Sequence, residues 1–257
     1  MTQNEERLYL IKYLLAERPD GVEIKIPKDE ENRKRLLRSL FNVRPPKPCS
    51  DEFLTVQNDY LKGRTEQKGI TEIRNLKPIK KNIYLFKGDI TTLKCDAIVN
   101  AANSQMLGCF LPCHGCIDNC IHTFAGVELR QYCYEIMRRQ GHPEPTGQAK
   151  ITPAFNLPSS FVLHTVGPIV GQRLTRRDEE SLCSCYNSCL ELAEQNGLKS
   201  IAFCCISTGE FHFPQKRAAE IAVQTVEKYI DRTKSKIKVI FNVFKQTDYE
   251  IYREILE

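Results

Sequence analysis

Between residues 109 and 122 the chain reads CFLPCHGCIDNCIH, a segment dense in soft metal donors and carrying one acid, Asp118. Cys109, His114 and Cys116 put two thiols and one imidazole on a short stretch. Two thiolates with a neutral imidazole balance the charge of Zn²⁺. Three protein donors leave one tetrahedral position open, the usual arrangement of a catalytic zinc. Cys113 and Cys120 are rival donors, and Cys120, one helical turn beyond Cys116, would close a four-ligand structural site. Spacing does not decide between them. Cys113-x-x-Cys116 also matches a redox pair, but no thioredoxin-like strand context surrounds it. Cys133, Cys183, Cys185, Cys189, Cys204 and Cys205 read as small buried hydrophobes.

Two more segments have the composition of binding loops: GDIT from Gly88 to Thr91, and STGEFHFP from Ser207 to Pro214. In the second, Gly209 permits close backbone approach and Pro214 suits the start of a helix. Backbone N–H groups in such a loop bind phosphate. Asp118, following the cysteine-rich loop, reads as the N-cap of the next helix. Phe213 reads as core, and His122, His164 and His212 read as structural.

Each loop follows a short β-rich run. The strand candidates are 83–86, 97–100, 161–166, 201–206 and 238–244, apolar on both faces as strands covered by helices should be. Helical stretches lie near 118–139, 178–196, 214–232 and 248–256. This alternation predicts a three-layer α/β fold with a mixed, largely parallel sheet, whose ligands sit beyond the carboxyl ends of the strands. Residues 1–75 read as an α-helical N-terminal extension and 76–257 as the α/β domain. In the extension, Leu8, Ile11, Leu14 and Leu15, then Leu36, Leu37, Leu40 and Phe41, have helical spacing, and Ser50 with Asp51 opens a third helix. The polar run 61–81 reads as a connector.

The rest of the composition bounds the answer. A formal net charge of +5 favours an anionic ligand, but the basic residues are spread out, with no aromatic-studded basic stripe for nucleic acid. No apolar run reaches membrane-spanning length, and the N-terminus lacks the features of a signal peptide. A cytoplasmic location is therefore expected, and it turns twelve cysteines away from a disulfide framework.

GDIT, VNAANS, the helix AGVEL (125–129), Thr146 to Thr152, HTVGP (164–168) and STGEFHFP together resemble a macrodomain, in that family's order, over roughly residues 80–245. The family binds ADP-ribose. GCFLPCHGCIDN replaces the glycine-rich loop of most hydrolytic macrodomains, and is similar to the zinc-dependent macrodomains found beside sirtuin-like ADP-ribosyltransferases in some microbes. The resemblance implies a hydrolase removing mono-ADP-ribose from modified proteins, cutting a glycosidic or ester linkage, with Zn²⁺ on Cys109, His114 and Cys116. It implies adenine contacts from Asp89 and Ile90 and a diphosphate loop of Ser207, Thr208, Gly209, Glu210 and Phe211, with Phe211 packing on the distal ribose. Asn103 falls at the residue touching that ribose and Asp118 at the catalytic acidic position. It points further to a lipoyl-carrier protein, modified by a sirtuin-like transferase, as substrate. The competing expectation is a reader module that binds ADP-ribose without cleaving it and carries a structural zinc.

Overall fold

The structure, a computed structural model, describes residues 1–18 and 24–257. Three helices come first: α1 (Gln3–Ala16), α2 (Glu30–Val43) and α3 (Asp51–Lys68). Each starts on a side-chain cap. Thr2 and Glu5 form a capping box, Asp29 accepts from the Asn32 N–H, and Ser50 accepts from the Phe53 N–H.

The 61–81 run is not a plain connector. Residues through Lys68 continue α3, followed by β1 (Thr71–Glu72) and β2 (Pro78–Lys80). Then come β3 (Ile83–Lys87), β4 (Leu93–Lys94), β5 (Ala97–Ala102), α4 (Ile117–Ala125), α5 (Val127–Gln140), β6 (Ala149–Pro153) and β7 (Phe161–Val166). The chain ends with α6 (Arg176–Gln195), β8 (Ser200–Phe203), α7 (Gln215–Thr233), β9 (Lys238–Val243) and α8 (Gln246–Leu256).

Seven strands form the main sheet in the order β2-β3-β9-β8-β5-β7-β6, with only the two outer pairs antiparallel. The β5 and β8 strands are buried at nearly every position, so helices cover both faces and the expected three layers are present. The helix expected near 118–139 is two helices. Gly126 sits between them at φ +96°, a conformation that side-chain-bearing residues avoid, and the chain turns there. The strand expected over 201–206 stops at Phe203, because Cys204 to Ile206 already belong to the loop that follows. AKITP (149–153) is an additional edge strand whose mixed composition hides it from a periodicity search.

The inner strands β3, β9, β8 and β5 run parallel. Their carboxyl ends therefore share one edge of the sheet, and the GDIT, NAANS and STGEF loops emerge side by side.

Two apolar cores result. One fills the space around the sheet; the other joins α1, α2 and α3 and includes Val127, the first residue of α5. Polar side chains complete the junction. Gln57 Oε1 accepts from the Val127 N–H at 2.9 Å, standing in for the missing cap of α5. Asn156 donates to Asn58 Oδ1 at 2.8 Å. Gln57 is wholly buried. Gln57→Leu should therefore lower stability by about 1–3 kcal/mol, the cost of an unsatisfied buried N–H, read as a lower urea midpoint with an unchanged m-value.

Candidate functional site

All twelve residues singled out from the sequence line one cleft of about 1130 Å³. Asp89 and Ile90 come from the loop after β3, and Asn103 from the end of β5. Cys109, His114, Cys116 and Asp118 come from the segment leading into α4, and Ser207 to Phe211 from the loop after β8. The opposite wall was not legible in the sequence. Lys34, Arg35, Arg38 and Phe41 of α2, with Tyr60, Arg64 and Lys68 of α3, close the cleft from the N-terminal side.

Among the described residues, two groups have the donor types and closeness to hold a metal ion: Cys109, His114 and Cys116, and the buried His122, Cys133 and His164. Within each, the donor atoms lie within 4.8 Å of one another. In the first group Cys109 Sγ is 3.5 Å from His114 Nδ1. The far ring nitrogen, His114 Nε2, lies 3.5 Å from Glu210 Oε1, the carboxylate–histidine arrangement that orients a ligating imidazole. Both thiols are half-buried at the cleft. In the second group His164 already uses both nitrogens, with Asn100 Nδ2 at 3.2 Å and Thr152 Oγ1 at 2.9 Å. Burial pushes the Cys133 thiol up to about 12 and the His164 imidazole down to about 3.

The rival donors line the same cleft but stand outside this cluster. Cys113 Sγ donates to the Arg35 carbonyl at 3.3 Å, and Cys120 Sγ faces the Arg38 guanidinium at 3.6 Å.

Asp118 is not the cap of α4. Cys116 is: its Sγ accepts from the Asn119 N–H at 3.4 Å, and Asp118 stands inside the first turn. There its carboxylate is 5% exposed. Oδ1 accepts from Asn100 Nδ2 at 2.7 Å, and Oδ2 lies 3.5 Å from Asn103 Nδ2. Burial raises the Asp118 pKa to about 6, against the pull of the Asn100 bond and the Arg130 charge. Asn103 is itself fixed, donating to the Gly108 carbonyl at 3.2 Å and accepting from the Gln105 N–H. Gly108 is needed for two reasons: φ is +80°, and a Cβ there would lie 2.7 Å from the His122 ring.

His122 is buried with both ring nitrogens lacking a hydrogen-bond partner among the described residues. Its Nε2 approaches Asp118 Oδ1 to 3.5 Å, but without bonding geometry. His212 is exposed at φ +56°, and Phe213 is in the core.

In the loop after β8, Ser207 has φ +63° and a buried Oγ with no partner among the described residues. Open space surrounds Gly209. Asp89 is occupied. Lys68 Nζ of α3 bonds its Oδ2 at 2.8 Å, and Thr91 bonds its Oδ1 through both N–H and hydroxyl. Burial raises the Asp89 pKa, but the bonds from Lys68 and Thr91 together outweigh it and hold the carboxyl below its usual range. Beside Asp89, Phe244 leaves β9 with its ring 77% exposed in the cleft. The sequence reading placed Phe244 at the end of the expected strand 238–244 and gave no sign of its exposure.

A family model described as Macro domain matches residues 99–222. A protein-ADP-ribose hydrolase of Treponema medium is 58% identical over 260 residues, covering 100% of both chains. One from Staphylococcus aureus (strain MSSA476) is 50% identical, covering 99% of this chain and 96% of its own. A Trypanosoma brucei macrodomain in complex with ADP-ribose superposes with a TM-score of 0.66 at 29% identity, over 90% of this chain and 97% of its own. No helix among the described residues is long and apolar enough to cross a membrane.

Cys116 carries two jobs that substitution separates. Serine is a good N-cap but a poor soft-metal ligand. Cys116→Ser should leave metal-free stability within about 0.5 kcal/mol of the parent and abolish most of the melting-temperature rise produced by an added thiophilic divalent metal.

Proposed function

The chain belongs to the macrodomain family and is a protein-ADP-ribose hydrolase, and we propose that it works as a zinc enzyme on mono-ADP-ribosylated protein. The observation that carries this reading is the convergence on one cleft of three metal donors, a buried carboxylate and a loop with spare polar groups. Of the two donor groups, Cys109, His114 and Cys116 suit the ion better. They open on the cleft, where His122, Cys133 and His164 are buried, and Glu210 backs the imidazole, whereas both nitrogens of His164 are spent on Asn100 and Thr152.

The residues divide the substrate between them. The buried Ser207 Oγ and the backbone from Thr208 to Phe211 receive the diphosphate, with the open space at Gly209 admitting its oxygens. Asp89 accepts from the adenine amino group, Ile90 adds backbone contact, and the exposed Phe244 ring gives the base a surface to stack on. Asn103, pinned by Gly108 and Gln105, points its amide at the distal ribose beside Asp118, and Phe211 packs on that sugar.

Hydrolysis replaces the protein atom on the distal ribose by a water-derived hydroxyl, and the proton left over goes to the departing side chain. When bound, zinc supplies Lewis acidity next to that sugar. Asp118 takes the proton from water or steadies positive charge growing on the ribose ring; its raised pKa suits proton exchange near neutral pH. Asn100 holds the carboxylate in place from below. A reader module would have no use for a buried carboxylate beside an open donor set.

The test of the whole reading is release of ADP-ribose from a mono-ADP-ribosylated protein, such as a lipoyl-carrier protein, before and after chelation. Activity should fall on metal removal and return with added zinc. Full activity of metal-free protein would refute zinc dependence; ADP-ribose binding with no release from any modified protein would favour the reader.

Asp118→Asn separates the steps. It should lower turnover by roughly 10²–10⁴-fold with ADP-ribose affinity within a few-fold of the parent and zinc content unchanged. Turnover at the parent rate would remove the carboxylate from the mechanism.

Asp89→Ala should weaken ADP-ribose binding about ten- to a hundredfold, the worth of one charge-assisted hydrogen bond, without loss of zinc. Calorimetric titration reads the change.

A further inference from the structure

The three metal donors sit on a stretch, residues 103–116, that contains no helix or strand. Such a stretch cannot hold a three-donor geometry through its own backbone ladder. Its carbonyls and its Cys113 N–H need partners from outside. The partners come from α2, α4 and α5, and those of α2 reach the ligands themselves.

Arg38 is the centre of the arrangement. Its Nη2 donates to the His114 carbonyl at 2.7 Å and to Asn119 Oδ1 at 2.9 Å. Asn119, itself fully buried, passes the constraint on. Its side-chain Nδ2 donates to the Cys109 carbonyl at 3.3 Å and the Leu111 carbonyl at 2.9 Å, and its backbone N–H donates to Cys116 Sγ at 3.4 Å. One guanidinium therefore touches His114 directly, and Cys109 and Cys116 through a single intermediate residue. A turn further along α2, Asn42 Oδ1 accepts from the Cys113 N–H at 2.9 Å, while its amide donates to Thr123 Oγ1 of α4.

We propose that Arg38 of the N-terminal helices is a positioning residue for the metal, acting through the carbonyl of His114 and through Asn119 on all three ligands. The proposal rests on the assignment of Cys109, His114 and Cys116 as the zinc ligands. It makes the helical extension part of the metal site and not a separate appendage. Outer-shell partners of this kind set metal affinity and ligand geometry, and their loss costs about 10–100-fold in affinity. All of these contacts leave from the one nitrogen Nη2, which the planar guanidinium holds on a fixed line; a lysine ammonium on a flexible stem lacks that preset geometry.

The experiment uses the full-length protein loaded with Co²⁺ in place of zinc. Cobalt thiolate charge-transfer and ligand-field absorption report how many sulfurs bind and in what geometry, independently of turnover. Arg38→Gln and Arg38→Lys are compared with the parent and with Leu40→Ala. Leu40 belongs to the apolar core of the same helix, so its loss destabilises α2 without touching the loop. Affinity for Co²⁺ and Zn²⁺ is measured by competition with a chromophoric chelator, and folding by urea titration of the metal-free forms.

The expected result is a 10–100-fold loss of metal affinity and an altered cobalt spectrum in both Arg38 variants. Leu40→Ala should lower the urea midpoint and keep the parental spectrum. Parental affinity and spectrum in Arg38→Gln would overturn the proposal while leaving the zinc enzyme intact. An equal spectral change in Leu40→Ala would overturn it too, reducing Arg38 to general stability. A parent that binds neither metal would sink the ligand assignment itself. Should Arg38→Gln fail to fold, Arg38→Lys retains the charge and decides the matter alone.

Discussion

On the proposed reading, residues 103–116 must hold a metal rigidly while staying open to substrate, and the two demands conflict, because rigidity comes from backbone pairing and openness excludes it. In this chain the conflict is resolved by borrowing partners. Residues 103–116 run without a ladder, so their polar groups are satisfied by side chains from other elements: Asn119, Arg38, Asn42 and Arg130. Arg130 alone bonds the Leu107, Phe41 and Arg44 carbonyls and lies 4.3 Å from the Phe110 ring, tying the loop, α2 and α5 together. The cleft, the positions of the donors and the packing of the extension follow from that set of bonds.

The sheet contributes the complementary half. Four neighbouring parallel strands deliver their loops to one edge, so ligand contacts distant in sequence meet without any loop being long. The STGEF loop stores local strain at Ser207, whose positive φ turns the backbone at the cleft, and Phe213 anchors the loop in the core through its N–H to the Ser207 carbonyl at 2.9 Å. Strain of this kind persists only where surrounding packing fixes it.

Residues whose role depends on their own type and near neighbours were legible in the sequence. The cysteine-rich segment stood out because soft donors at short spacing have few other uses, but the resemblance, not the spacing, singled out Cys109, His114 and Cys116 from Cys113 and Cys120, and it likewise assigned Asp89, Asn103 and Ser207 to Phe211 on loops at strand ends. What was hidden depends on long-range placement. Arg38, Asn42 and Lys68 look like ordinary residues of polar helix faces, and nothing local to them reveals that they face a loop or an acid far along the chain. The capping half of the expectation for Asp118 fails for a similar reason. Aspartate is the better capping residue in general, yet here the cysteine two places earlier takes the cap, and the carboxylate points inward to Asn100. The break at Gly126 was a local signal, masked by helix-favouring residues on both sides.

The treatment of Asp118 explains why such an arrangement favours a catalyst. A carboxylate that only bound a neutral ribose would be served as well by an amide, without the desolvation that raises its pKa to about 6. A carboxylate kept from water gains its value when positive charge appears next to it, because the low dielectric that makes it costly to bury also strengthens its attraction for that charge. Breaking a bond at the anomeric carbon of a ribose creates such charge in the transition state and not in the bound substrate. The interaction is therefore stronger at the top of the barrier than before it, which is the condition for raising turnover and not merely affinity. The two asparagine amides at Asn100 and Asn103 hold the group in place without neutralising it, and on the proposed reading that leaves its charge available for the reacting sugar.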